Sequence, residues 1–108
     1  MKKRRFNWLN ILKSPDDQNG IYSIWSQNIC VYVGQAKKQS IQARLLKHYD
    51  NSHNDKLNNW IRSSHPLWFT VEPIENIDTI DAKERIRIKR YAPLTNLKLQ
   101  KKEFQYGN

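Results

Sequence analysis

The chain has 108 residues, the length of one ordinary domain, so we expect a single core. Its 19 Lys and Arg residues against 10 Asp and Glu residues give a formal net charge of +9, which makes nucleic acid the first partner to consider. The single cysteine, Cys30, excludes an intrachain disulfide and a cysteine-rich zinc site. The sequence has no apolar run of the roughly 18 residues that a membrane-spanning helix needs and no signal-peptide pattern, so we expect a cytoplasmic protein with no membrane partner.

The N-terminal segment, residues 1–19, is a basic arm. Four cations at residues 2–5 precede an apolar patch over residues 6–12, which predicts a short helix closed by the polar residues 14–17. We expect the arm to pack on the domain, and residues 2–5 could also reach across a functional site as a mobile arm. Residues 20–96 then form the domain, and residues 97–108 form a C-terminal tail.

The domain begins with a predicted hairpin. Residues 20–25 and 29–34 are rich in β-branched and aromatic side chains, and the polar residues 26–28 lie between them. A three-residue turn, with Asn28 in the left-handed conformation, fits this spacing. In a regular hairpin, Tyr22 and Tyr32 share a sheet face only if the turn has three or five residues, because strand side chains alternate between faces. A two-residue turn with no bulge would place them on opposite faces.

Two helices, a third strand and a last helix follow. Ser40 is a candidate N-cap for a helix to about Tyr49, and residues 57–61 repeat the helical spacing in a second helix that ends near residue 63. Residues 67–71 predict a strand stopped by Pro73, and Asp78 or Thr79 could cap a helix that extends to Tyr91. The order strand, strand, helix, helix, strand, helix indicates an α+β domain.

Glu84 lies in the middle of an apolar stripe of the last helix, between Ile80 and Ile88. Burying a carboxylate without a partner is costly. Three interpretations remain: a structural ion pair, a metal ligand, or a residue at the floor of a cleft.

Arg44 and His48 are four residues apart, which stacks them on one side of the first long helix, where both could reach a shared cleft. Taken singly they are also typical of a solvated helix charge and a boundary histidine. Tyr22 and Tyr32 are by default packing residues of strands, and Asn96 is by default a turn residue after Pro93.

Taken together, these residues form an ordered series. It consists of Gly20-Ile21-Tyr22, Val31-Tyr32-Val33-Gly34, Arg44 with His48, and Glu84 with Asn96. The series resembles the GIY-YIG nuclease superfamily over residues 20–96, with valine in place of isoleucine in the second signature. The resemblance implies a compact GIY-YIG domain with a three-stranded, mainly antiparallel sheet flanked by helices.

The resemblance also implies a metal-dependent endonuclease that hydrolyses phosphodiester bonds of DNA, one strand per active site. Glu84 would hold Mg²⁺, for which Mn²⁺ can substitute, and Arg44 would bind the scissile phosphate. Tyr22 would take a proton from the attacking water, helped by positive charge or by relay to His48. Tyr32 would contact the same phosphate or orient its neighbours, and Asn96 would position the substrate or brace the site.

The remaining expectations concern partners. Lys37 or Lys38, and Lys47, are candidate phosphate contacts, although surface charge also explains them. Duplex or branched DNA is the expected substrate, with RNA as an alternative, and specificity could come from a homodimer or a separate subunit. The rival hypotheses are a non-catalytic nucleic-acid-binding module on the same scaffold and a basic structural protein without a cleft.

Overall fold

The computed structural model describes residues 2–96, so the predicted tail over residues 97–108 lies outside the described part of the chain. The chain forms an α+β domain, as predicted. The strands are β1 (Arg4–Arg5), β2 (Gly20–Ser26), β3 (Ile29–Ala36) and β4 (Trp68–Pro73). The helices are α1 (Trp8–Leu12), α2 (Ile41–Asn51), α3 (Asp55–Arg62) and α4 (Ile80–Tyr91), with a 3-10 turn at Ile77–Thr79. Over residues 2–96, no helix combines the length and the apolar character needed to cross a membrane.

The sheet has four antiparallel strands in the order β1-β4-β2-β3, so the expectation of three strands is wrong. The extra strand comes from the basic arm, where Arg4 pairs with Phe69 and Arg5 pairs with Trp68. Two charged residues carry no apolar alternation, so the sequence pattern could not reveal this strand.

Cation–π contacts hold the arm in place. The Lys3 ammonium lies 4.4 Å from the centroid of the Trp25 ring, and the Arg5 guanidinium lies 5.3 Å from that of Trp68. Lys3 also donates to the carbonyl of Gln27 over 2.8 Å. The arm is therefore packed, as expected, at residues 3–5, which are fixed at the sheet edge opposite β3, and the alternative of a mobile arm is wrong for these residues.

The hairpin turn differs from the prediction. Ser26 pairs with Ile29, which leaves a two-residue turn at Gln27 and Asn28 instead of a three-residue one. The left-handed residue is Gln27, with φ of 55°, and not Asn28. A two-residue turn alone would put the two tyrosines on opposite faces.

A β-bulge restores the shared face of the tyrosines. The register changes between Trp25, which pairs with Cys30, and Ile24, which pairs with Tyr32, so β3 contains one extra residue at this point. Beyond the bulge Tyr22 pairs with Gly34. Tyr22 and Tyr32 therefore lie on one face, as predicted, but through a bulge that the sequence did not indicate.

Apolar side chains cover both faces of the sheet. Helices α1, α2 and α3 pack on the face of Tyr22, and α4 packs on the other. The first face buries Ile11, Ile24, Leu45, Leu57 and Phe69. The second buries Ile21, Val33, Ile74, Ile80 and Ile88. The sheet therefore separates two apolar layers, and β3 is one of its edge strands.

Side-chain caps mark the starts of α1, α2 and α3. Ser40 accepts from the backbone N–H of Ala43 over 3.1 Å, which confirms the predicted start of α2. Thr79 occupies the N-cap position of α4, as predicted, but its side chain forms no capping hydrogen bond. Asn76 instead accepts from the backbone N–H of Asp78 and starts the preceding 3-10 turn.

Gly20 is required by close packing between strands. A Cβ atom at this position would overlap the backbone carbonyl oxygen of Glu72 in β4 and would lie 2.9 Å from the Cα atom of Pro73. Both contacts are with backbone, which a rotamer change cannot relieve.

We therefore expect Gly20→Ala to lower the free energy of unfolding by about 1–3 kcal/mol, the usual cost of overpacking. Urea denaturation at neutral pH measures the change. Ser26→Ala, at the other end of β2, is the control and should change the free energy by less than about 0.5 kcal/mol. A Gly20→Ala protein as stable as the control would contradict the close approach of β2 and β4.

Candidate active site

A buried chain of polar side chains links β2 to the end of α2. The Tyr22 hydroxyl lies 2.7 Å from Nε2 of His48, and Nδ1 of His48 lies 2.8 Å from the Ser52 hydroxyl oxygen. Tyr22 and His48 are each 1% exposed. The Ser52 oxygen also accepts from the backbone N–H of Asn54 over 3.3 Å. Both ring nitrogens of His48 therefore have a partner.

Tyr32 completes an aromatic cluster around this chain. Its ring centroid lies 6.1 Å from that of Tyr22 and 5.1 Å from that of His48. Gly34 makes room for the cluster, because a Cβ atom there would overlap the phenol end of Tyr22 and approach the ring of Tyr32 to 2.7 Å. The two glycines of the sequence signature thus serve strand packing at Gly20 and ring packing at Gly34.

Burial controls the acidity of the two phenols. Burial raises the pKa of Tyr22 well above its usual value, the neighbouring Tyr32 raises it further, and Arg44 lowers it. Burial also raises the pKa of Tyr32, which the Arg44 guanidinium lowers and the Glu84 carboxylate raises. Both phenols are therefore neutral at pH 7.

Burial also keeps His48 neutral. Together with the positive charge of Arg44 and smaller effects of His53 and Lys47, it lowers the pKa of His48 to about 3. A neutral imidazole has one donor and one acceptor nitrogen. If Nδ1 donates to Ser52, Nε2 is free to accept the proton of the Tyr22 hydroxyl.

Arg44 carries a donor that no other described residue uses. Its Nε atom is buried and has no hydrogen-bond partner among residues 2–96. An orphaned donor on a cation is costly unless a ligand fills it, and an anion is the natural ligand. The influence of Arg44 on the pKa values of Tyr22, Tyr32 and His48 locates its charge beside the aromatic cluster.

Glu84 lies on α4, on the other face of the sheet, between the buried Ile80 and Ile88. It is half-buried, as the helical stripe predicted, and accepts from Nε2 of Gln35 over 3.3 Å. The Glu84 carboxylate contributes, after burial and Arg44, to the shifted pKa of Tyr32 in the aromatic cluster. The site therefore straddles an edge strand.

Gln35 was not predicted as a site residue. It follows Gly34 in β3, and its amide oxygen is buried without a partner among residues 2–96. The two buried side-chain atoms without a hydrogen-bond partner among residues 2–96 are thus a donor on Arg44 and an acceptor beside Glu84. The first suits an anion, and the second suits a cation.

Asn96 braces β3. Its side-chain oxygen accepts from the backbone N–H of Val33 over 2.9 Å, and its side-chain nitrogen donates to the Val33 carbonyl over 2.7 Å. The backbone N–H groups of Leu94 and Thr95 donate to the carbonyls of Cys30 and Val31. Of the two roles predicted for Asn96, these contacts favour bracing.

The predicted lysines differ in their surroundings. Lys37 forms an ion pair with Asp81 at 3.0 Å, and both side chains are well exposed. Lys38 and Lys47 are exposed, and Lys47 contributes to the lowered pKa of His48. Lys47 is therefore near the cluster, whereas Lys37 is bound to the start of α4.

His53 is a second residue that sequence reasoning missed. Its ring stacks on that of His48, with centroids 5.8 Å apart and an interplanar angle of 30°. His53 is exposed and lies in the loop between α2 and α3. A histidine five residues after His48, past the end of a helix, has no helical spacing that would indicate this contact.

The side-chain oxygens of Glu84 and Gln35 are compatible with a hard divalent cation. Among residues 2–96 no group of three His, Cys, Asp or Glu side chains could hold a metal ion. Mg²⁺, however, usually takes one or two carboxylates and completes its shell with waters and substrate phosphate oxygens. Glu84, with the orphaned amide oxygen of Gln35 nearby, fits that pattern.

No protein-family model matches the chain, and no curated protein sequence matches it.

The buried neutral state of His48 predicts acid sensitivity. The usual pKa of 6.5 applies in the unfolded chain, and the folded value is about 3, so the unfolded chain binds the extra proton between these values. The stability tied to neutral His48 is present above about pH 6.5 and is lost as the pH falls towards 3. From pH 7 to about pH 4.5 we expect a loss of about 2–3 kcal/mol through this residue.

Urea denaturation at the two pH values measures this loss. His48→Gln should show a smaller loss between pH 7 and pH 4.5 than the wild-type protein, because it removes the titrating group. The exposed His65 provides the matched control, and His65→Gln should keep the wild-type loss. Equal losses in all three proteins would contradict the neutral, buried state of His48.

Proposed function

We propose that the protein is a metal-dependent endonuclease of the GIY-YIG type that hydrolyses phosphodiester bonds of DNA. The observation that carries the proposal is the cluster of the Tyr22–His48 hydrogen bond with the orphaned donor of Arg44, within the field of Glu84. A hydrolytic centre needs a proton acceptor, an anion-binding group and a carboxylate in one place.

Arg44 binds the scissile phosphate in this proposal. Its unused Nε donor and the rest of its guanidinium form a fork that matches two phosphate oxygens. As the phosphorus gains a fifth bond, negative charge grows on these oxygens, and a fixed cation stabilises that charge without reorganisation.

Tyr22 and His48 move the proton. The Tyr22 hydroxyl takes a proton from the attacking water as it passes its own proton over the 2.7 Å hydrogen bond to Nε2 of His48. The low pKa of His48 makes it a weak acceptor in the free protein. A bound phosphate offsets the charge of Arg44, one cause of that low pKa, and so makes His48 more basic when substrate is present.

Glu84 is the residue that would hold Mg²⁺ or Mn²⁺, with Gln35 as an additional oxygen ligand. The cation would supply Lewis-acid stabilisation of the phosphate and of the departing oxygen. Glu72, another carboxylate near the sheet, is a poor alternative metal ligand. Both of its carboxylate oxygens already accept hydrogen bonds from Arg87, over 2.9 and 3.0 Å. Tyr32 contacts the phosphate or orients Tyr22, and Asn96 braces the strand that presents the site.

The expected partner is duplex or branched DNA, with RNA as a competing substrate. A single site cuts one strand at a time, so cleavage of both strands needs a homodimer, a second binding event or another subunit. The cytoplasm is the proposed location.

The test is nicking of supercoiled plasmid by the pure protein with Mg²⁺ and with chelator. We expect nicking only with Mg²⁺, and we expect Glu84→Gln to reduce it by at least about 100-fold, because the amide keeps the shape but loses the charge that holds the cation. Plasmid binding, measured separately in chelator, should stay within about twofold of the wild-type value.

The matched control is Glu75→Gln, the same chemical change at an exposed residue after β4. It should nick at the wild-type rate. Nicking by Glu84→Gln at the rate of this control would remove Glu84 from the site. DNA binding without nicking by the wild-type protein would support the non-catalytic binding module.

A further inference from the structure

A basic cleft lies at the sheet edge opposite β3. Its volume is about 150 Å³. Phe69 and Val71 of β4 form its apolar floor, and Ser14 and Pro15 form part of its wall. The remaining lining residues are all cations: Lys2, Arg4 and Lys13. No carboxylate of residues 2–96 lines the cleft.

The three cations have unused head groups. None of them forms a hydrogen bond or an ion pair with another residue in the described range 2–96, and all three are exposed. The alternation of β1 explains the difference from Lys3 and Arg5, which point to the opposite face and lie over tryptophan rings. The arm therefore separates its five cations into two structural ones, Lys3 and Arg5, and three that line the cleft.

The cleft shares a sheet face with the candidate active site. Arg4 pairs with Phe69, Phe69 pairs with Ile24, and Ile24 pairs with Tyr32. Directly paired residues of antiparallel strands lie on one face, so these four side chains form a row across the sheet. Three strand spacings of about 4.8 Å put the two ends of the row roughly 14 Å apart.

Helix α2 packs against both α1 and α3 on this face. The cleft adjoins the end of α1, whereas His48 and His53 lie at the junction of α2 and α3. One phosphate group therefore cannot contact both the cleft and the candidate active site. A nucleic acid that contacts both must extend past α2, which requires roughly four charge spacings of one strand at 3.4 Å each along the duplex axis.

We propose that the cleft of Lys2, Arg4 and Lys13 binds a backbone phosphate of the nucleic acid, outside the scissile position. The inference rests on the proposed function, because it takes the ligand of the cleft to be the substrate of the candidate active site. Three converging cations without a carboxylate suit a phosphate, and the apolar floor suits the sugar beside it. The cleft then adds affinity without reading the base sequence.

The experiment compares two triple variants with the same loss of charge. The first is Lys2→Gln, Arg4→Gln and Lys13→Gln. The control is Lys83→Gln, Lys89→Gln and Arg90→Gln, which removes two lysines and one arginine from exposed positions of α4, on the other face. The probe is a fluorescent DNA duplex of about 20 base pairs, long enough to span both places, and anisotropy is measured in chelator over a range of salt concentrations.

We expect the cleft variant to bind the duplex at least about tenfold more weakly than the control, with a salt dependence shallower by about 0.9 for each phosphate contact removed. Equal affinities for the two variants would overturn the inference, since the effect would then come from net charge. Thermal unfolding of both variants verifies that they fold, and Lys13→Gln alone should still weaken binding if β1 shifts in the triple variant.

The outcome separates this inference from the proposed function. A cleft-specific loss of binding, with no plasmid nicking by the wild-type protein, would support the cleft and overturn the nuclease. Mg²⁺-dependent nicking, with equal binding by the two triple variants, would support the nuclease and overturn the cleft.

Discussion

The hydrogen bond between the Tyr22 hydroxyl and Nε2 of His48 is the constraint on which the candidate site depends. It is 2.7 Å long, and both residues are almost fully buried. Every polar atom of such a buried pair needs a hydrogen-bond partner, because a polar atom without one would cost about 1–3 kcal/mol of stability. Ser52 satisfies the second nitrogen of His48 from the end of the same helix. The pair ties β2 to α2, and this tie fixes the side from which Arg44, one turn earlier on α2, reaches the phenols.

The sheet edge at β3 explains how residues from both faces can serve one site. Gly34 leaves space for the phenol of Tyr22, and the next residue, Gln35, points to the opposite face and donates to Glu84. Because side chains alternate along a strand, consecutive residues of β3 contact the aromatic cluster on one face and Glu84 on the other. The face of Tyr22 contains the orphaned donor of Arg44, and the face of Glu84 contains the orphaned acceptor of Gln35. In the proposed function, the donor binds the phosphate and the acceptor binds the metal ion.

The sequence predicted most of the fold, because helical spacing and strand alternation report burial directly. The stripe of Ile80, Glu84 and Ile88 is an example, since its period alone located Glu84 at the buried side of α4. The bulge in β3 and the strand at Arg4 and Arg5 depend on tertiary pairing, so no local pattern indicates them. The stacking of His53 and the orphaned oxygen of Gln35 likewise depend on how separate elements meet. The roles of the site residues came from a resemblance in an ordered series of motifs, and they stay predictions.

The most direct test is a double-mutant cycle of Tyr22→Phe and His48→Gln, measured as the rate of Mg²⁺-dependent plasmid nicking at saturating DNA. Two groups that transfer one proton act as a unit, so removing either should cost nearly as much as removing both. The account predicts a double variant that is no more than about threefold slower than the slower single variant. Losses that multiply, or nicking by Tyr22→Phe at the wild-type rate, would contradict it.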